Sequence, residues 1–198
     1  ADRKAGYLLS IGPEGAAVAT GDGRSTSRVA TKGLLTAREW YLLAASFDPV
    51  DGLLRVAQRP LNADGRGETQ RVATAADAVL PDAGPDARFL VGAAWGGRGN
   101  AEGLAPAMCF NGKVEAPRVL HRAETDLAAL NEAGVLSPTE PGTTLAWDFA
   151  HDISSLRVTD VSGNGRYGRV VNLPTRAMAG HNWTSDEHDW RHAPEQYG

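Results

Sequence analysis

Trp40-Tyr41-Leu42-Leu43-Ala44-Ala45-Ser46-Phe47 is an apolar run closed by Asp48-Pro49. Across Asp51-Gly52 it is followed by Leu53-Leu54-Arg55-Val56-Ala57-Gln58. Runs of this length suit strands better than helices. In the second run Leu54, Val56 and Gln58 fall on one face and Leu53, Arg55 and Ala57 on the other, the period of two that a pleated strand imposes. The Asp-Pro and Asp-Gly punctuation between the runs is turn chemistry. The stretch therefore predicts an antiparallel pair with a tight loop.

The same grammar repeats in both directions. Upstream, residues 7–11 and 16–20 are apolar and separated by Gly12-Pro13-Glu14-Gly15, and Gly21-Asp22-Gly23 turns the chain again. Downstream, strands are expected at 70–73, 88–91, 145–149, 156–159 and 169–172, with 62–67 and 95–103 as polar or glycine-rich loops. Residues 108–110, 112–116 and 118–120 read as one interrupted strand, with Pro117 marking an edge or bulge. One short helix is expected, capped by Thr125, carrying Leu127 and Leu130 at helical spacing and closed by Gly134. Short strands with frequent turns and a single helix predict an all-β antiparallel sandwich or jelly roll and exclude a βαβ architecture.

Composition agrees. The chain has 198 residues, 23 glycines and 11 prolines, and a formal charge of −4. Such a length suits one β-sandwich with a real core. No basic stripe is present, which argues against nucleic acid. No apolar stretch reaches the roughly 20 residues of a membrane helix, and no signal peptide is visible. Cys109 is the only cysteine. It excludes an internal disulfide and points to a reducing, cytoplasmic compartment. Its apolar neighbours Ala107, Met108 and Phe110 predict a buried, structural thiol.

The chemical motifs are each weighed against a plainer reading. Gly163-Asn164-Gly165-Arg166-Tyr167-Gly168 matches G-x-G-x-x-G, but a strand ending at Pro174 follows it, where a dinucleotide site needs a helix. Within Asp160-Val161-Ser162-Gly163-Asn164, Asp160 and Asn164 are candidate calcium ligands. The plainer reading is a turn in which Asp160 or Ser162 caps backbone amides and a glycine takes positive φ. His188 and His192 are four apart but lack the glutamate of H-E-x-x-H, and a solvated or interface pair is preferred. Asp148 and Asp152 do not form the alternating acids of a retaining glycosidase, and no serine-nucleophile motif is present. Trp40, Trp95 and Trp147 are read as packing residues, with Trp95 as a candidate sugar platform.

The run from Arg38 to Asp48 resembles the "W-x-x-v-a-x-s-y-D" strand of laminin-G-like and concanavalin A-like domains. Phe110-Asn111-Gly112-Lys113-Val114-Glu115 through Val119 is similar to their "F-x-G-x-i-d-x-x-r-i", and Asp160 through Gly168 to their "D-x-S-G-n-x-x-x-G". The stretches Asn172–Trp183 and His188–Gly198 resemble the large (beta) subunit of the N,N-dimethylformamidase family. That resemblance implies a laminin-G-like jelly roll over 1–176, lacking strands upstream of Tyr7. It implies a linker or docking tail over 177–198, with Trp183 and Trp190 as interaction residues. It also implies a parent enzyme that hydrolyses dimethylformamide to dimethylamine and formate, using iron held by tyrosine and glutamate, beside a small partner subunit. No position here matches an iron ligand, so no catalytic residue and no cofactor are assigned to this chain. Its expected partners are a downstream catalytic domain and the small subunit, with a second copy pairing through an open sheet edge. The alternative expectation is a calcium-dependent, lectin-like carbohydrate module.

Overall fold

The computed structural model describes residues 5–61, 69–85, 87–98, 104–127, 137–172 and 174–176. Within them the chain is all-β and every strand pairing is antiparallel. A first sheet has the order β1 (Ala5–Gly12), β2 (Gly15–Asp22), β3 (Thr26–Ala30). A second has β4 (Tyr41–Asp48), β5 (Leu53–Pro60), β6 (Arg71–Ala75). β7 (Ala94–Arg98) and β8 (Leu104–Ala107) form a two-stranded ribbon. The last sheet runs β12 (Gly168–Arg169), β11 (Arg157–Asp160), β10 (Thr143–Asp148), β9 (Arg118–Leu120).

The expected β4–β5 hairpin is present without a break in register, from Tyr41 opposite Pro60 to Asp48 opposite Leu53. The face read from its second strand is buried at Leu54, Val56 and Gln58, and Ala57 on the other face is buried as well. The first two sheets face each other through β2 and β3 on one side and β5 and β6 on the other. Between them Ala16, Val18, Leu54 and Val56 form a sealed cluster, with Val29, Leu43, Phe47, Ala73 and Ala78 packed around it. The alanines of β2 suit this position, because small side chains let two sheets approach closely enough to exclude water.

A polar knot sits at the end of that cluster. The Gln58 side-chain oxygen accepts from the Ala16 N–H (2.9 Å) and the Thr31 hydroxyl (2.5 Å), and its Nε2 donates to the Gly33 carbonyl (3.0 Å). Gly15 has φ +82°, and a Cβ there would stand 2.0 Å from the Gly33 carbonyl oxygen. Glycine is thus required at this turn for both conformation and space.

Several expectations are corrected. The helix from Thr125 to Gly134 is not seen: residues 125–127 form a bend and a turn, and 128–136 lie outside the described residues. Cys109 is exposed, not buried, because Met108 turns into the left-handed region (φ 49°) and is itself 74% exposed. The same turn, and another at Ala116 (φ 43°), break the strand expected over 108–116, leaving only β9. Residues 88–91 form no strand, whereas the glycine run expected as a loop contributes β7. β3 has no counterpart in the sequence reading, since its serine, threonine and arginine hide an edge strand's weak alternation. The strand expected over 169–172 shortens to β12, and Asn172 has φ 60°. No described helix is long and apolar enough to cross a membrane.

Candidate functional site

The Asp160 turn is the richest cluster of polar side chains that the sequence singled out. β10 and β11 pair through Trp147 opposite Asp160 and Asp148 opposite Thr159. At their end the chain turns through residues 161–167, and both Gly163 (φ 84°) and Gly165 (φ 69°) take the positive φ expected of them. The Asp160 residue is 6% exposed. Its Oδ1 accepts from the Ala146 N–H (3.1 Å), the Ser162 N–H (3.1 Å) and the Ser162 hydroxyl (2.7 Å). Its Oδ2 accepts from the Arg166 N–H (2.8 Å). Burial pushes this carboxyl up, but the Ser162 hydroxyl and the amides of Ala146, Arg166 and Ser162 outweigh it, holding Asp160 below the usual carboxylate range.

Asn164 completes the staple from the other side. Its side-chain nitrogen donates to the carbonyls of Thr143 (2.8 Å) and Thr144 (3.3 Å). The two candidate calcium ligands are therefore brought into one turn, but as opposite halves of a hydrogen-bond network. A cation at Asp160 would have to displace four N–H and O–H donors, and Asn164 offers its NH2 group, not its oxygen, to the carbonyls. Among the described residues no group of three or more His, Cys, Asp or Glu side chains is placed to hold a metal ion. Among the described residues, this turn is arranged as a hydrogen-bonded staple.

Among the described residues, the tryptophans lie half-buried or donate their indole N–H to main chain. Trp147 is half-buried, donates its indole N–H to the Arg166 carbonyl (2.8 Å) and lies 5.7 Å, ring to ring, from Phe89. Trp40 is half-buried, and Trp95 is 37% exposed with its indole N–H on the Arg88 carbonyl (3.0 Å). Asp148 accepts from the Ala150 N–H and Asp152 from the Thr159 hydroxyl, so each holds local chain geometry. Trp183, Trp190, His188 and His192 lie outside the described residues.

One cluster escaped the sequence reading. The Arg176 guanidinium donates to the carbonyls of Phe149 (3.0 Å), Asp152 (3.3 Å), Ser155 (3.1 Å), Arg157 (3.1 Å) and His151. Five main-chain acceptors around one planar fork fix residues 149–157 against the chain at 176. No spacing rule reveals this, because the partners are backbone atoms. The Gln58 knot was more legible: a glutamine in phase with Leu54 and Val56 must carry partners inside.

No family model matches the chain. Curated proteins do. The N,N-dimethylformamidase beta subunit of Paracoccus aminophilus is 33% identical over 221 aligned positions, covering 100% of this chain. The beta subunit of the same name from Alcaligenes sp is 30% identical, again over the whole chain. The chain is a relative of the N,N-dimethylformamidase beta subunit. It spans 28% of the length of either relative, so it corresponds to a domain-sized part of that subunit.

Proposed function

We propose that this chain is an accessory, structural and interaction β-sandwich of a dimethylformamidase-like large subunit, and that the catalytic machinery lies elsewhere in the subunit. The observation that carries the reading is the whole-chain match to so small a share of the beta subunits. The side chains support it. The polar clusters at Gln58, Asp160 and Arg176 are engaged with main chain, which builds a rigid scaffold and leaves them little freedom for chemistry. Two facing antiparallel sheets support the finer assignment to a laminin-G-like jelly roll. The relatives' name denotes an enzyme for N,N-dimethylformamide and one subunit among several; on this reading the present chain helps hold such an assembly together.

The test is direct. The purified chain is incubated with dimethylformamide and iron, and released dimethylamine is measured. No release is expected. Dimethylamine production together with stoichiometric iron in the chain would overturn the proposal. The lectin-like reading needs a cation at Asp160, whose carboxylate already accepts four hydrogen bonds.

A further inference from the structure

β1 contains no charge and no proline, and it pairs with β2 from Ala5–Asp22 to Gly12–Gly15 without a bulge. Nothing pairs with its other edge among the described strands. Residues opposite one another in an antiparallel ladder point to the same face. Tyr7, Leu9 and Ile11 stand opposite Thr20, Val18 and Ala16, so they lie on the face that packs on Leu54 and Val56. On β2 that face is sealed, with Thr20, Val18 and Ala16 at 2%, 4% and 0% exposure. On β1 the same face is partly exposed, with Tyr7, Leu9 and Ile11 at 58%, 40% and 42%, and the Phe89 ring 6.4 Å from that of Tyr7. The inner layer of the sandwich thus runs one strand beyond its cover. Leu8, on the opposite face, is also exposed.

Edges that stay single are blunted by charge, proline, brevity or a covering segment. The other described outer strands have such devices. β3 carries Arg28, paired to Glu14 at 2.7 Å. β4 is crossed by the segment whose Glu124 N–H donates to the Ser46 hydroxyl (2.9 Å). β6 begins with Arg71, β9 follows Pro117, and β12 has two residues. β1 has neither charge nor proline; Ala83 and Phe89 reach its start, beside Gly6 and, ring to ring at 6.4 Å, beside Tyr7, while Leu9 and Ile11 stay 40% and 42% exposed.

We infer that β1 is an interior strand, completed by a β-strand from the part of the large-subunit polypeptide outside this chain, which pairs with its free edge and seals Tyr7, Leu9 and Ile11 with alternate apolar side chains. This rests on reading the chain as part of a larger subunit. The occupant is assigned to the same polypeptide because most of the relatives' length lies outside the match, and an uncharged, two-sided apolar strand suits a permanent partner, not an intermittent one.

Hydrogen exchange read by mass spectrometry compares this chain with the Paracoccus aminophilus beta subunit at the strand aligned with β1. In this chain β1 amides are expected to exchange about 100-fold faster than those of β2; in the full subunit the two strands are expected to be equally protected. Fast exchange in both proteins overturns the inference. A second variant guards the result: L9K/I11K in this chain should shift the melting temperature by less than about 2 °C and leave it sedimenting as a monomer. A loss of more than about 5 °C would mean that Leu9 and Ile11 are already buried. A dimer that L9K/I11K dissociates would assign β1 to a second copy. Either result sinks the inference. Dimethylamine release by the chain alone would end the accessory reading while leaving the exchange result intact.

Discussion

β1 and β2 are neighbours of equal length in one hairpin, and they have opposite fates. β1 has the bulkier apolar residues, a tyrosine, two leucines and an isoleucine, yet these are exposed. β2 is built largely from alanine and glycine, and nearly all of it is buried. Side-chain hydrophobicity therefore does not decide burial here; place in the fold does, since β2 is the central strand of its sheet and has β5 over one face. β5 lies over β2 and brings Leu54 and Val56 into contact with Ala16 and Val18. The stabilisation from apolar burial scales with area removed from water, so the small, sealed residues of β2 contribute out of proportion to their size.

The strongest way to break that contrast is at the turn joining the two strands. A Cβ at Gly15 meets backbone oxygen at Gly33 and the Gln58 side-chain oxygen, at positive φ. Gly15→Ala should cost about 4 kcal/mol, in the range reserved for strain combined with a broken buried network. Urea unfolding would read this as a large fall in midpoint, or as failure to fold. Gly12, which pairs with Gly15 across the turn, has open space around it; Gly12→Ala is the matched control and should be far milder. Next in size, Leu54→Ala removes a fully buried side chain opposite β2 and should cost about 3 kcal/mol. An equal cost for Leu54→Ala and for truncation on β1 would refute the covering-layer explanation.

The division between legible and hidden features follows the same logic. The β4–β5 hairpin was readable because period-two alternation and turn residues act within a few positions. The Asp160 turn was readable for the same reason: a carboxylate, a hydroxyl and two glycines in sequence specify a local staple. Cys109 was misread because burial was inferred from its neighbours' polarity, whereas the left-handed turn at Met108 turns the segment outward. The exposure of Tyr7, Leu9 and Ile11 could not be read from their own residues, since an apolar strand looks alike whether or not something covers it. The Arg176 cradle was hidden because its acceptors are carbonyls, which every residue has.

A polar region offers an intermediate test, since its stability depends on charge and not on a covering layer. Asp160 has its carboxyl held below the ordinary value of 3.8. Such a group contributes stability that is fully present above its unfolded value and is lost as pH falls through the folded one. Asp160→Asn should cost roughly 2 kcal/mol at neutral pH through the weakened charge-assisted hydrogen bonds. The gap between variant and parent should narrow below about pH 4. Thermal melts from pH 7 to pH 3 would show it; a gap that stays constant would mean that the charge contributes nothing beyond shape.

The smallest effect is the most discriminating. Leu9 and Val18 are directly opposed across the ladder, so they share strand geometry, neighbours and distance from the turn. Val18→Ala deletes less hydrocarbon than Leu9→Ala. If size governed, Leu9→Ala would be the costlier change. Val18 is 4% exposed and Leu9 is 40% exposed, so the order should invert: about 1.5–2 kcal/mol for Val18→Ala against less than about 1 kcal/mol for Leu9→Ala. The two are in contact range and need not add, and a double-mutant cycle separates their coupling from the burial of each. Equal or reversed costs in equilibrium urea unfolding would mean that the β1 face is sealed in solution, and the contrast between the strands would vanish.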